Sequence, residues 1–198
     1  MPRLRDPELR SLLTNLPSAG LRALIAACAT RQLGAYAHFQ NETGASGLEV
    51  LRNALDNVWS HIDDGELDPS SLMGECEQLF ENESDAWELH RAWAESSVLS
   101  VVAALRSFVE SPLDIAMETA TYGQDALDLR IIYVLGLDMS DRVNEAKVDM
   151  HPAMVKEVER EKRDIGEIRA NVNVGSNWQP FIQELRRRAE AESNDFLP

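Results

Sequence analysis

Apolar residues recur three or four positions apart along almost the whole chain, and nowhere do they alternate with polar ones over the length of a strand. Leu48, Leu51, Leu55, Val58, Trp59 and Ile62 are the clearest run, the core stripe of an amphipathic helix. With no period-two pattern to compete, the chain can bury its apolar surface only by packing helices on helices, so the expected fold is all-α. At 198 residues the chain is long enough to form one core without a metal or disulfide staple, so residues 1–198 are expected to form a single domain.

Helix punctuation divides the chain into about eight helices. Pro7 opens the first, with Leu9, Leu12 and Leu13 inside. The second follows Pro17 and Ser18, carries Leu21, Leu24, Ile25, Cys28, Leu33 and Tyr36, and ends at Gly44, where glycine can take a left-handed conformation. Ser46 and Glu49 match a capping box, so the polar, glycine-rich loop before Leu48 reads as a corner between helices. Asp68 followed by Pro69 starts a helix with Leu72, Met73, Cys76, Leu79 and Phe80 inward and Glu75, Glu77 and Glu81 outward. Ser84 can cap a helix running to about Val109, apolar over most of its circumference between Val98 and Leu105, which places it at the centre of the fold. Ser111 and Pro112 open a sixth helix, with a kink expected near Gly123. Residues 137–154 read as connector, Pro152 opens a seventh helix to about Ala170 with one solvated face of alternating charge, the last helix starts near Trp178, and residues 193–198 read as a frayed tail.

Composition narrows the function classes. No apolar run approaches the roughly 20 residues of a membrane helix, and the N-terminal stretch lacks an apolar signal region, so the expected compartment is the cytoplasm. Cys28 and Cys76 then read as reduced, buried thiols. A net charge of −15, from 34 acids against 19 bases, repels phosphate backbones and anionic membranes, which argues against nucleic acid and lipid as partners. Residues 63–95 hold eleven acids and one base, so ten of the fifteen excess negative charges sit in one sixth of the chain. Asp63, Asp64, Glu66, Glu75, Glu77, Glu81 and Asp85 are therefore the candidate docking face for a basic protein partner, with Phe80, Trp87 and Trp93 as candidate anchors.

Specific chemistry finds no foothold. There is no histidine pair at helical spacing, no Cys-x-x-Cys, no phosphate-binding glycine loop and no nucleophile elbow, so no catalytic residue, cofactor or metal is assigned. The segment from Trp87 to Trp93 concentrates Trp, Glu, His and Arg, and His38, Trp87 and His90 form a candidate small-molecule pocket as the alternative to the docking face.

The stretch from Leu24 to Ile62 resembles the N-terminal half of the YjaG-like family of bacterial proteins, a family of unknown function. The matching residues are Tyr36, Phe39, Gly44, Leu51, Arg52, Asn53, Asp56 and Trp59, with a weaker echo at His151, Pro152, Met154 and Glu157. The resemblance implies an all-helical bacterial protein of one domain, and since the family carries no established activity it transfers no catalytic residue. By analogy of class, small helical bacterial families include immunity proteins of toxin systems. The expectation is therefore a non-enzymatic interaction module, an acidic immunity or inhibitor protein that neutralises a basic toxin, with a helical enzyme or small-ligand binder as the alternative.

Overall fold

Residues 18–43 form a single 26-residue helix in which every position from Ala23 to Gln32 is buried. Its alanines explain that: with so little side chain, neighbours can close on the helix from all sides, and a helix buried all round belongs at the centre of a bundle. The computed structural model of the protein describes residues 6–80, 88–138, 142–173 and 175–196, all of it helices, turns and loops. Among the described residues there are nine α-helices: α1 Asp6–Leu13, α2 Ser18–Thr43, α3 Leu48–Ser60, α4 Ser70–Glu77, α5 Glu88–Arg106, α6 Pro112–Leu135, α7 Arg142–Asp149, α8 Pro152–Asn171 and α9 Gly175–Glu192. Short 3-10 turns follow α4 at Gln78–Phe80 and α9 at Ser193–Phe196.

The helix at the centre is α2, which packs on α3, α5, α6, α8, α9 and the C-terminal 3-10 turn. α5, expected at the centre, shares that place: it packs on α2, α3, α4 and α6 and is buried from Ser97 to Leu105 at every position but Leu99. It is α2's main neighbour, contributing Val98, Val101, Ala103, Ala104 and Leu105 to the core. Hydropathy marks the valines of α5, whereas the central placement of α2 follows from the small size of its residues.

Gly44 ends α2 in the left-handed conformation, its N–H donating to the Gln40 carbonyl. The capping box expected next is not made. Gly47, at φ 142°, is the cap residue of α3, and Glu49 turns along the helix to Arg52 at 2.6 Å. The corner is instead clamped from α2, where Gln40 Oε1 accepts the Leu48 N–H and the Tyr36 hydroxyl donates to the Ser46 carbonyl. At α4 the expectation holds in substance, for Asp68 Oδ1 accepts the Ser70 N–H at 3.1 Å.

Two further expectations are corrected. The connector read over residues 137–154 contains α7, whose Val148 joins Leu127, Ile131 and Met154 in a small second core. Within the tail read as frayed, the described residues Ser193–Phe196 are packed: the Ser193 carbonyl lies only 2.0 Å from where a Cβ on Gly34 would stand, and Asp195 pairs with Lys156 and Arg160. Only glycine at position 34 lets the tail approach α2 that closely.

Candidate functional site

The most concentrated polar chemistry lies inside the bundle. Arg31 projects from α2 with no exposed surface, and its guanidinium donates to Glu157 Oε1 at 3.0 Å, Asp164 Oδ2 at 2.7 Å and Cys28 Sγ at 3.3 Å. Glu157, Glu161 and Asp164 stand at i, i+4 and i+7 on α8, which places all three on one helix face. Gln124 of α6 donates to Glu161 Oε2 at 2.9 Å, whereas the buried Glu161 Oε1 meets no hydrogen-bond partner among the described residues.

Further arginines close over these carboxylates. Arg163 and Arg188 both reach Asp164 Oδ1 at 2.9 Å, Arg163 also holds Glu192, and Arg160 lies 3.6 Å from Glu192. Burial alone would lower the Arg31 guanidinium, but the charges around it, Glu157 foremost, hold it well above its usual range. Burial, reinforced by the charge of Glu157, pushes Glu161 well above the usual carboxylate range and favours its neutral acid. Burial likewise raises the Cys28 thiol, and it pushes Cys76 up to about 12, so neither cysteine is an activated nucleophile. The cluster ties α2, α6, α8, α9 and the tail together, and most of its polar atoms bond to one another, Glu161 Oε1 and Arg188 Nε being the exceptions among the described residues.

A solvent-open cleft of about 820 Å³ lies on the α3 side of α2. Thr30, Gly34, His38 and Asn41 of α2 line it together with Arg52, Asp56 and Trp59 of α3, Arg186 and Glu190 of α9, and Ser193 and Asn194 of the tail. Arg186 spans the two walls by pairing with Asp56 and with Glu190 at 2.9 Å. Trp59 is fixed at the inner end by its indole N–H donating to Thr30 Oγ1 at 3.1 Å. His38, the member of the expected pocket trio whose side chain is described, lines this cleft. Trp87 lies outside the described residues, as does the side chain of His90. His61 and His151 sit elsewhere, the first against the Asn57 carbonyl at 2.9 Å and the second capping α8 through the Ala153 N–H. Among the described residues no three His, Cys, Asp or Glu side chains are placed to hold a metal ion.

The acids expected on the docking face divide. Asp63, though exposed, is engaged by α9, accepting from the Trp178 indole N–H and the Gln179 amide. Asp64 accepts the Glu66 N–H at 3.1 Å and lies close enough to Arg22 for their charges to interact. Glu66, Glu75 and Glu77 are exposed and form no ion pair among the described residues; Glu75 accepts only from Ser71, on its own helix. Glu81 and Asp85 lie outside the described residues. Of the candidate anchors, Phe80 is half-buried against the core and Trp93 is buried, so neither is displayed. The arginines of α9 do not neutralise the acidic segment, because Arg186 pairs with Asp56 and Glu190, Arg187 with Glu184, and Arg188 with Asp164 and Glu167.

Sequence reasoning missed the Arg31 cluster. A signal was present: Met154, Val158, Ile165 and Ile168 form an apolar stripe on α8, and Glu161 occupies the place where that 4-3-4-3 spacing calls for an apolar residue. On α2 Arg31 likewise interrupts a run of small apolar residues. A charge at a core position in each of two helices signals that the two must meet.

An all-helical bundle fastened by a buried arginine, with an open polar cleft beside its central helix, is the class of protein these features define. Residues 9–194 match the family model described as "Protein of unknown function (DUF416)", and the chain belongs to that family. A crystal structure of a DUF416 family protein from Shewanella baltica OS155 superposes with a TM-score of 0.79 at 17% identity, covering 91% of this chain and 92% of that one. At that identity the superposition shows a shared fold. No curated protein matches the chain.

Proposed function

We propose that the chain is a non-enzymatic interaction protein of the cytoplasm, an acidic immunity or inhibitor protein that covers the working surface of a basic toxin. The reading extends to one domain over residues 1–198 and, within the family, to a YjaG-like member on the strength of Tyr36, Phe39, Gly44 and the Leu51–Trp59 helix. The observation that carries it is the segregation of charge. Apart from Arg169, which donates to the Leu12 carbonyl, the arginines and lysines of α8 and α9 are held in pairs with acids of α1, α3, α8, α9 and the tail, while Glu66, Glu75 and Glu77 meet no base among the described residues. An uncompensated negative face accelerates encounter with a basic surface and selects against anionic competitors.

The test is co-purification from native cells at low salt, with the bound protein eluted by rising salt and identified. A stoichiometric basic partner, released by salt and no longer retained by the Glu66→Gln/Glu75→Gln/Glu77→Gln chain, supports the reading. A partner held equally by both chains, or binding insensitive to salt, overturns it.

A second reading, a small-ligand binder, is favoured by the 820 Å³ cleft, whose size falls within the usual range for small-molecule sites. A metabolite that raises the melting temperature of the native chain but not of Arg52→Ala would support it.

A further inference from the structure

α8 carries two charged stripes side by side. Each acid of the inner stripe, Glu157, Glu161 and Asp164, is preceded by a base, so Lys156, Arg160 and Arg163 also stand at i, i+4 and i+7 and share a helix face. The chain's own C-terminus meets this basic stripe. Glu192, the last residue of α9, accepts two hydrogen bonds from Arg163 at 2.9 and 3.2 Å, and Arg160 and Arg31 stand 3.6 and 3.9 Å from it. Three residues on, Asp195 accepts from Lys156 at 2.8 Å and from Arg160. Between the two acids, the Ser193 carbonyl sits in the space that Gly34 leaves open.

The tail is seated as a ligand would be. What it covers is built into the bundle, since the Arg160 side chain is only 7% exposed and Arg31 not at all. What holds it is polar: no side chain from Glu190 to Asp195 joins the apolar core, Asn194 and Asp195 are exposed, and Ser193 and Asn194 line the open 820 Å³ cleft. The Lys156–Asp195 pair is exposed on both sides, the kind that contributes about 1 kcal/mol or less, so its acid can be exchanged for another. Charge also calls for an acidic occupant. With Glu161 in the neutral form its burial favours and Arg188 matched by Glu167, the bases Arg31, Lys156, Arg160 and Arg163 exceed Glu157 and Asp164 by two, and Glu192 and Asp195 supply those two charges.

We infer that the basic stripe of α8 is a docking site for an acidic peptide segment of a partner protein, with two carboxylates three residues apart and a small residue between them, and that the chain's own Glu192–Asp195 segment occupies it as a built-in competitor. Displacing the tail frees Lys156, Arg160 and Arg163 for the partner's acids and Gly34 for its backbone. A tethered competitor acts at an effective concentration on the order of 1 mM, so only a partner that outcompetes it gains the site. The site selects acids, the opposite of the proposed docking face in residues 63–95, and the inference stands independently of the proposed function.

The experiment is fluorescence anisotropy on full-length chains with a labelled, end-blocked peptide of residues 191–196, Ala-Glu-Ser-Asn-Asp-Phe, at 0.05 and 0.5 M NaCl. The expected result is that a Glu192→Gln/Asp195→Asn chain binds the peptide at least tenfold more tightly than the wild type, whose tail competes, and that salt weakens the binding. Adding Arg160→Gln should abolish the gain. Circular dichroism checks that each chain is folded, and Asp195→Asn alone, at an exposed position, should shift affinity in the same direction and decides the matter if the double variant does not fold. A folded variant that binds the peptide no more tightly than the wild type overturns the inference. So does equal binding of a peptide whose two acids are replaced by Gln and Asn, or binding of inorganic pyrophosphate without binding of the peptide, which would assign the stripe to small anions.

Discussion

At Arg31 the cost of a single substitution can be reasoned from the partners it would strand. Arg31→Met removes a guanidinium that donates to Glu157 and Asp164, leaving both carboxylates buried beside Glu161. Breaking a buried pair from one side costs about 3–5 kcal/mol, so thermal unfolding should shift down by about 10 °C. Adding Glu157→Gln and Asp164→Asn to Arg31→Met should restore at least half of the loss, because the two stranded carboxylates are then neutral while Arg163 keeps Glu192 and Arg188 keeps Glu167. No restoration would mean that the arginine acts by packing alone. Glu161 makes a different prediction. Its folded pKa lies above its unfolded value near 4.5, so its contribution to stability is complete below pH 4.5 and is lost as pH rises through the folded pKa. Glu161→Gln keeps an oxygen for the Gln124 amide but cannot ionise. Urea midpoints of the variant and the wild type should therefore draw together at pH 4 and separate in the variant's favour at pH 8; parallel curves at all pH would show that Glu161 does not titrate between the two states. The two residues differ in legibility as well. Glu161 was visible as a gap in an apolar spacing, but no property of α8 alone says that its counterpart is Arg31, 130 positions earlier.

Elements were legible where local chemistry decides them and illegible where a distant neighbour does. Pro112, Pro152 and the Asp68–Pro69 pair mark helix starts because proline's fixed backbone and a side-chain acceptor act within a few residues. The capping box at Ser46 and Glu49 failed because Gln40 and Tyr36, from the preceding helix, satisfy the corner first. α7 was hidden by its polarity, since Val148 is the only one of its eight residues among the buried core hydrophobics. The tail was hidden because its order depends on an absent side chain, at Gly34. That dependence can be measured as a coupling. In the full chain Gly34→Ala forces the Ser193 carbonyl away from α2 and should destabilise by about 1–3 kcal/mol, despite the gain of about 1 kcal/mol that alanine gives a helix interior. In a chain ending at Glu192 the clash is gone, and the same substitution should stabilise by up to about 1 kcal/mol. A change of equal sign and size in both chains would show that the tail does not rest on Gly34.

For the whole molecule the question is which negative charges the fold uses and which it merely carries. Asp63 is used, because it receives two hydrogen bonds from α9 and so fixes the start of that helix against the loop after α3. Glu66, Glu75 and Glu77 are carried, each exposed and without an ion pair among the described residues, in a molecule of net charge −15 whose acids repel one another. Exposed charges interact across about 10 Å at 0.1 M ionic strength and about 30 Å at 0.01 M, so that repulsion should be felt at low salt and fade as salt is added. Converting all three glutamates to glutamine should therefore leave the melting temperature unchanged at 0.3 M NaCl and raise it by about 1–3 °C at 0.01 M. Asp63→Asn should lower it at both, by the roughly 1 kcal/mol or more lost when strong acceptor bonds are weakened. Stability retained with partner binding lost would make the three glutamates a recognition surface carried at a small standing cost to the fold. A triple variant as unstable as Asp63→Asn would mean instead that the acids hold the structure together, and the proposed interaction would lose the surface on which it depends.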